Sequence, residues 1–207
     1  MKFDFSGKTC VVAGGASGMG RSIAQELANA GAAVCVADLN LTGAEAFCAE
    51  LRAKGFQAAA FGMDATDLAS VQRTADAISA QFGRIHCLVN SIGIGAKARP
   101  EETLQQTFSR LIQVNLMGMF NSCSSFAEHM IETGGGSIVN IASMSASIVP
   151  AKTRPGRGGE YGLIGYCTSK GGVKMMTKSM ALPWTEYGIR ANSVSPGYVD
   201  TPLTAEP

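Results

Sequence analysis

Charged residues are scarce in this chain of 207 residues: they make up 16% of it, where about 25% is usual. The 17 basic and 16 acidic side chains nearly cancel, which leaves a formal net charge of +1. No basic field is available to attract nucleic acid or an anionic membrane, so neither is predicted as a partner. Because 46% of the residues are hydrophobic, the low charge does not indicate disorder. We predict one globular domain spanning residues 1–207.

Long hydrophobic runs are absent too. No stretch approaches the roughly 20 apolar residues of a membrane span, and the polar opening Met1–Lys8 does not resemble a signal peptide. The six cysteines have no CxxC or other metal-ligand spacing, and several fall in apolar runs: Cys10, Cys35, Cys48, Cys87, Cys123 and Cys167. We therefore predict free thiols, no metal site and a cytoplasmic protein.

Short β-rich runs alternate with longer helical patterns along the chain. Strands are predicted at Thr9–Ala13, Ala33–Asp38, Gln57–Gly62, His86–Asn90, Ser137–Ile141 and Arg190–Val194. Helices are predicted at Gly18–Ala30, Thr42–Lys54, Asp67–Phe82, Pro100–Glu132 and Gly165–Tyr187. This order predicts an α/β, doubly wound parallel sheet, the Rossmann fold, with helices on both faces.

One segment, Ala151–Gly162, interrupts the alternation. Its glycines and Pro155 predict an exposed loop, unusually long for a compact domain. It has two open interpretations. The loop is either a plain solvated connection, or a lid over the substrate whose Arg154 and Arg157 attract polar or anionic compounds.

A glycine-rich segment, Gly14–Gly20, follows the first strand and opens a helix. Glycine allows a tight turn and close approach of the backbone, and a helix N-terminus offers unpaired N–H groups to a pyrophosphate. The alternative is a turn that merely packs on the sheet. Asp38 ends the second strand, where a carboxylate can accept both ribose hydroxyls and repels a 2′-phosphate, unless it serves only as a turn residue. Neither Ser17 nor Leu39 supplies a cation, so NAD is favoured over NADP.

Tyr166 and Lys170 lie four residues apart at the start of a predicted helix, and so share one face of it. An ammonium beside a phenol favours the phenolate, which makes tyrosine a usable base. Ser143, close to the end of the fifth strand, can steady a substrate oxygen. The alternatives are a surface tyrosine with a solvated lysine, and a serine that only forms a turn.

Together with Asn90-Ser91-Ile92-Gly93, Asn115 and Pro196-Gly197, these motifs resemble the short-chain dehydrogenase/reductase family in order and context, over nearly the whole chain. The resemblance implies that Tyr166 is the general acid/base, that Lys170 is its electrostatic partner and a ribose ligand, and that Ser143 orients the carbonyl. It implies that Asn115 is a helix-kink asparagine that holds a water in a proton relay.

The same resemblance implies a set of cofactor contacts. Asp64 meets the adenine amine, Asn90 stabilises the sheet near the cofactor, and Thr201 with Val199 contacts the nicotinamide amide. The full implied set is Gly14, Ser17, Gly18, Met19, Gly20, Asp38, Asp64, Ala65, Asn90, Tyr166, Lys170, Pro196, Val199 and Thr201.

Several positions depart from the family pattern. Ala13 replaces the usual threonine before the glycines, and Ser91 with Ile92 replaces Asn-Ala. The sequence stops at Pro207, whereas family members continue through a substrate loop, a helix and a seventh strand. That C-terminal strand and helix are expected to be absent, either because the chain is short by nature or because the sequence is a piece of a longer one.

The function expected from this resemblance is NAD-dependent interconversion of a secondary alcohol and a ketone, with polyols or sugar alcohols favoured. One alternative is a 3-oxoacyl-thioester reductase, which normally prefers NADPH and so fits Asp38 poorly. Another is a non-catalytic nucleotide-binding protein, because of the missing C-terminus. The resemblance also implies a homo-oligomer, a dimer or tetramer.

Overall fold

The computed structural model describes residues 3–97, 99, 101–150 and 159–201. Six parallel strands form one sheet in the order β3-β2-β1-β4-β5-β6. The strands are β1 Thr9–Ala13, β2 Ala33–Asp38, β3 Ala58–Gly62, β4 Cys87–Asn90, β5 Gly136–Ile141 and β6 Ile189–Val194. Each differs from its predicted bounds by at most one residue, and the predicted fold class is confirmed.

The helices are α1 Gly18–Asn29, α2 Leu41–Ala53, α3 Leu68–Phe82, α4 Leu104–Ile112, α5 Gly118–Glu132 and α6 Gly159–Trp184. They cover the sheet on both faces, because alternate residues of β1 enter different cores. Val12 packs with Phe47 and other residues of α1 and α2. Val11 packs on the opposite face with Phe126 and other residues of α3, α5 and α6.

The single helix predicted over Pro100–Glu132 is wrong in two respects. The first turn begins only at Leu104, where Thr103 and Gln106 form a reciprocal capping box. The helix is then interrupted by a π-helical turn at Gln113–Met117, which separates α4 from α5 and contains Asn115. Single π-helical turns occur frequently at functional sites, so this interruption directs attention to Asn115.

The predicted loop Ala151–Gly162 is corrected at its C-terminal end, because α6 begins at Gly159 rather than Gly165. Gly162 is buried there, and a Cβ on it would overlap the carbonyl oxygen of Ala96. Close packing of α6 against the segment after β4 therefore requires glycine, although glycine alone disfavours a helix. Residues 151–158, and with them the proposed lid, lie outside the described residues.

All six cysteines carry free thiols. Among the residues that the structure describes, no three His, Cys, Asp or Glu side chains are grouped so that they could hold a metal ion. Within the same ranges, no helix has both the length and the hydropathy that a membrane span requires.

The site is positioned by the strand order. From β1 to β3 the chain adds strands toward one edge of the sheet, and from β4 to β6 it adds them toward the other edge. The strand order therefore reverses between β1 and β4, which are hydrogen-bonded neighbours. The connections that follow these two strands diverge to opposite faces, and a crevice forms at their carboxyl ends. The glycine-rich turn and Gly93 both emerge at this crevice.

Candidate active site

The turn after β1 brings two backbone segments into contact. Gly14 has a φ of +75°, and its N–H donates to the carbonyl oxygen of Ala37 at 2.8 Å. A Cβ on Gly14 would lie 2.7 Å from the carbonyl oxygen of Ser91, and one on Gly20 would overlap the carbonyl oxygen of Gly14. Glycines are therefore needed so that α1 packs on the turn and the turn packs on the loop after β4. Ser17 caps α1 without a side-chain hydrogen bond to the helix.

A cavity of about 570 Å³ opens over this turn. Its volume lies within the range of small-molecule and cofactor sites, roughly 300–1,000 Å³. Eight of the predicted cofactor residues line it: Gly14, Ser17, Gly18, Met19, Asp38, Asp64, Ala65 and Thr201. The exposed turn, the helix N-terminus and the two carboxylates fit a dinucleotide laid across the crevice.

Both carboxylates of the cavity wall are fixed by backbone groups. Asp38 accepts the N–H of Ala16 at Oδ2 and the N–H of Asn40 at Oδ1, each at 2.9 Å. Asp64 accepts the Thr66 N–H at 2.8 Å and the Thr66 hydroxyl at 2.7 Å, both at Oδ1. Each carboxylate oxygen has more than one lone-pair site, so both side chains can still accept hydrogen bonds from a ligand.

Tyr166 and Lys170 stand together on α6, with the Lys170 Nζ 6.0 Å from the centre of the Tyr166 ring. Lys170 is only 4% exposed, and its Nζ donates to the carbonyl oxygen of Ile141 at 2.9 Å. Burial lowers the pKa of Lys170 to about 8. A largely desolvated ammonium acts on a neighbouring phenol more strongly than a solvated one does.

Gly93 joins this pair to the cofactor cavity. It lines the cavity, and a Cβ on it would lie 3.3 Å from the Lys170 Nζ and 3.4 Å from the Asn115 Oδ1. Asn115 is fully buried; it accepts the N–H of Ile94 at 2.8 Å and donates to the hydroxyl of Ser169 at 3.2 Å. The structure thus brings Asn115 and Lys170 together at the wall beside Gly93.

Ser143 follows β5 and begins a short 3₁₀ turn, where its Oγ accepts the N–H of Ser145 at 3.1 Å. The next residue, Met144, donates its N–H to the carbonyl oxygen of Pro196 at 2.8 Å, so the loops after β5 and β6 are tied together. Thr201, further along the second loop, lies 3.7 Å from the position that a Cβ on Gly18 would take.

Six of the predicted cofactor residues do not line the cavity: Gly20, Asn90, Tyr166, Lys170, Pro196 and Val199. Gly20 acts through packing, as described above. Asn90 is fully buried, and its Nδ2 donates to the Asn140 Oδ1 at 2.9 Å while the Ser122 hydroxyl donates to its Oδ1 at 2.6 Å. Its side chain therefore joins β4 to β5 and to α5.

Two arginines on the cavity wall, Arg99 and Arg110, were not predicted as site residues. Both lie near Glu102, whose pKa is lowered to about 2, chiefly by the hydrogen bond from Arg110. The one sequence feature that could have indicated Arg110 is its spacing from Val114. Arg110 precedes Val114 by four residues, and both line the cavity.

Comparison with known proteins identifies a matching family. The family model described as short chain dehydrogenase matches residues 8–207. D-threitol dehydrogenase of Mycolicibacterium smegmatis is 40% identical over 203 residues, which are 97% of this chain and 74% of that protein.

Two solved structures bear on the cofactor. Gluconate 5-dehydrogenase from Burkholderia cenocepacia, in complex with NADP and tartrate, superposes with a TM-score of 0.86 at 35% identity, covering 98% of this chain and 75% of that one. An NAD⁺-bound xylitol dehydrogenase gives a TM-score of 0.83 at 32% identity, covering 94% of this chain and 71% of that one.

Proposed function

This chain belongs to the short-chain dehydrogenase/reductase family, and on that premise we propose that it interconverts a small secondary alcohol and a ketone by hydride transfer with NAD. The observation that carries the proposal is the buried Lys170 ammonium beside Tyr166, next to a cavity that suits a dinucleotide. The nicotinamide, when bound, supplies the chemistry by accepting or donating the hydride.

The side chains supply the proton transfer and the orientation. Tyr166 takes the hydroxyl proton during oxidation and returns it during reduction, and the Lys170 ammonium stabilises the phenolate formed. Because the Ser143 Oγ already accepts the N–H of Ser145, its own proton can be donated to a substrate oxygen. Asn115 fixes the backbone at Ile94, beside Gly93, and so holds the wall between Lys170 and the cavity.

The preference for NAD over NADP rests on Asp38. Its carboxylate lines the cavity and is held by the Ala16 and Asn40 N–H groups, so a 2′-phosphate would meet a fixed negative charge. The cation of Arg110, which also lines the cavity, is already paired with Glu102. The NADP-bound gluconate 5-dehydrogenase shows that relatives of this fold also take the phosphorylated cofactor, so the preference is a proposal to be measured.

Calorimetry with both cofactors tests this preference. NAD is expected to bind at least tenfold more tightly than NADP, a difference of about 1.4 kcal/mol. Asp38→Ala should narrow that gap, whereas the matched variant Asp64→Ala, which removes a carboxylate from the adenine end, should affect both cofactors equally. Equal dissociation constants in the unmodified chain would contradict the assignment.

We propose polyols or sugar alcohols as the substrates, supported by the relatives named for D-threitol and xylitol. A panel of tetritols, pentitols, cyclic alcohols and a 3-oxoacyl thioester, assayed with NAD(H) and NADP(H), tests the proposal. Turnover of polyols with NAD supports it, while reduction of the thioester with NADPH supports the reductase alternative. NAD binding without any turnover would support a non-catalytic nucleotide-binding protein.

Cytoplasmic location and assembly into a dimer or tetramer stay predictions from the family resemblance.

A further inference from the structure

One wall of the cofactor cavity belongs to none of the motifs. Arg110 lines it from α4, and Val114 lines it from the π-helical turn that follows. Gln113, in the turn between them, donates from Nε2 to the carbonyl oxygen of Thr66 at 3.4 Å. This contact joins the end of α4 to the Asp64–Thr66 loop, where the adenine is expected. Arg110 therefore lies at the adenosine end of the cavity.

The Arg110 guanidinium is held in a fixed plane. Its Nε donates to the Glu102 Oε1 at 2.6 Å, and its Nη2 donates to the Glu102 Oε2 at 2.8 Å and to the carbonyl oxygen of Lys97 at 3.2 Å. The Thr107 hydroxyl donates to the same carboxylate at 3.1 Å. The side chains of Arg110 and Glu102 are only 17% and 12% exposed. A two-point fork of this kind fixes direction as well as charge.

The fork leaves part of the guanidinium unused. Nη1 makes no hydrogen bond within the described part of the chain, although its side chain lines the cavity. A guanidinium stacks on aromatic faces, and its N–H groups donate to ring nitrogens. Adenine offers both a face and nitrogen acceptors. The pyrophosphate, by contrast, is expected at the Gly14–Gly18 turn, where the helix N-terminus provides the donors.

We propose that Arg110 binds the adenine ring of the cofactor through Nη1 and the guanidinium face, and that Glu102 is the positioning residue that holds it there. This inference rests on the proposed function, because it requires a dinucleotide in the cavity. It assigns to the adenosine end a residue that lies outside the glycine turn and both carboxylates.

Titration calorimetry with ADP-ribose tests the proposal, because ADP-ribose carries the adenosine and the pyrophosphate but lacks the nicotinamide. Arg110→Gln and Arg110→Lys should each weaken its binding roughly tenfold, since neither replacement keeps the planar fork. Glu102→Gln should weaken it severalfold. The affinity for nicotinamide mononucleotide, which has no adenosine, should stay within about twofold in all three variants. If the fork had only a structural role, the three variants should lose affinity for ADP-ribose and for nicotinamide mononucleotide alike.

Lys97→Gln is the matched control, because it removes one exposed positive charge beside the fork and keeps the backbone carbonyl that Arg110 contacts. ADP-ribose affinity should change less than twofold in this variant. An equal loss in Lys97→Gln and Arg110→Gln would indicate a general charge effect and overturn the proposal.

Unchanged ADP-ribose affinity in Arg110→Lys, with thermal unfolding showing a folded chain, would also overturn it; this variant carries the test if Arg110→Gln does not fold. An equal loss for both ligands would do the same. If the unmodified chain binds neither NAD nor ADP-ribose, the proposed function itself fails, which is a distinguishable result.

Discussion

The two halves of the sheet bury different kinds of side chain. Among the described residues before β4, the buried polar or charged side chains are Thr9 and Thr74 alone. From β4 onward there are twelve: Asn90, Thr107, Asn115, Asn121, Ser122, Ser125, Asn140, Ser143, Ser145, Ser169, Lys170 and Thr177. The first half therefore packs as an apolar core, and the second contains a polar network inside its core.

The difference in buried polar side chains reflects what each half contributes to the candidate site. The first half lines the cavity with backbone groups and two carboxylates at its rim, so its interior needs no polar groups. The second half must hold a lysine, a serine and an asparagine at fixed positions, and each buried polar group needs its own partners. Substitutions in the second half should therefore affect chemistry and stability together, whereas those in the first should mainly affect binding.

The largest effect is expected from Tyr166→Phe. Removal of the phenol oxygen should reduce turnover by about 10²–10⁴-fold, because general acid–base groups contribute that much, while the ring keeps its shape. NAD affinity, measured by calorimetry, should change little. More than about a tenth of the original rate in this variant would refute the assignment of Tyr166.

Lys170→Met should change how the free energy of unfolding depends on pH. In the folded chain the Lys170 pKa is lowered from 10.5 to about 8, so the folded form releases this proton before the unfolded form does. The charge is present in both states below pH 8, and the contribution of Lys170 to stability rises between pH 8 and 10.5.

Denaturant titrations of both proteins at about pH 7 and about pH 10 measure this effect. The stability of the original chain should rise relative to Lys170→Met by up to about 3 kcal/mol over that window. Parallel pH profiles would show that Lys170 is not desolvated as described.

Asn140→Ala and Ser125→Ala form a matched pair of buried polar substitutions. Asn140 accepts from the Asn90 Nδ2 at 2.9 Å and donates to the Thr177 hydroxyl at 3.0 Å, so its removal takes one hydrogen-bond partner from each of two buried side chains and should cost about 2 kcal/mol. The Ser125 Oγ is buried without a partner among the described residues, so Ser125→Ala should be neutral or stabilising. Chemical denaturation measures both, and equal losses would contradict the idea of a connected network.

The smallest effect expected is that of Gly20→Ala in the apolar half. The added methyl would overlap the Gly14 carbonyl oxygen and displace the turn, so NAD affinity should fall about tenfold with turnover per bound cofactor largely kept. Gly197→Ala is the control, because its added Cβ would have no neighbour within 4 Å among the residues that the structure describes. Unchanged NAD affinity in Gly20→Ala would show that the backbone of this turn does not bind the cofactor.

The strands could be predicted closely because buried parallel strands consist of nearly continuous apolar runs. Thr9–Ala13 and Ala33–Asp38 have the observed bounds. The glycine turn and Asp38 could also be placed, since both follow strand ends that the fold brings to one edge.

What the sequence did not show depends on contacts between distant residues. The family resemblance implies a helix kink at Asn115, but helical periodicity does not show the π-helical turn at Gln113–Met117 or the hydrogen bonds that Asn115 makes with Ile94 and Ser169. The start of α6 at Gly159 runs against the helix propensity of glycine. The role of Arg110 becomes visible only when the segment after β4 is folded against α4.

The Asn90–Asn140 hydrogen bond also bears on the register in which β4 pairs with β5. The two residues are direct partners in the parallel pairing of β4 with β5, and both side chains are fully buried. If β5 slid by one position, its side chains would change faces, and the hydrogen bond between these two buried amides would be lost. Leucine, valine and isoleucine, which fill much of the rest of the two strands, would tolerate such a slide far better. The pair therefore specifies the register of β4 and β5: it destabilises incorrect strand pairings during folding in addition to stabilising the correct one.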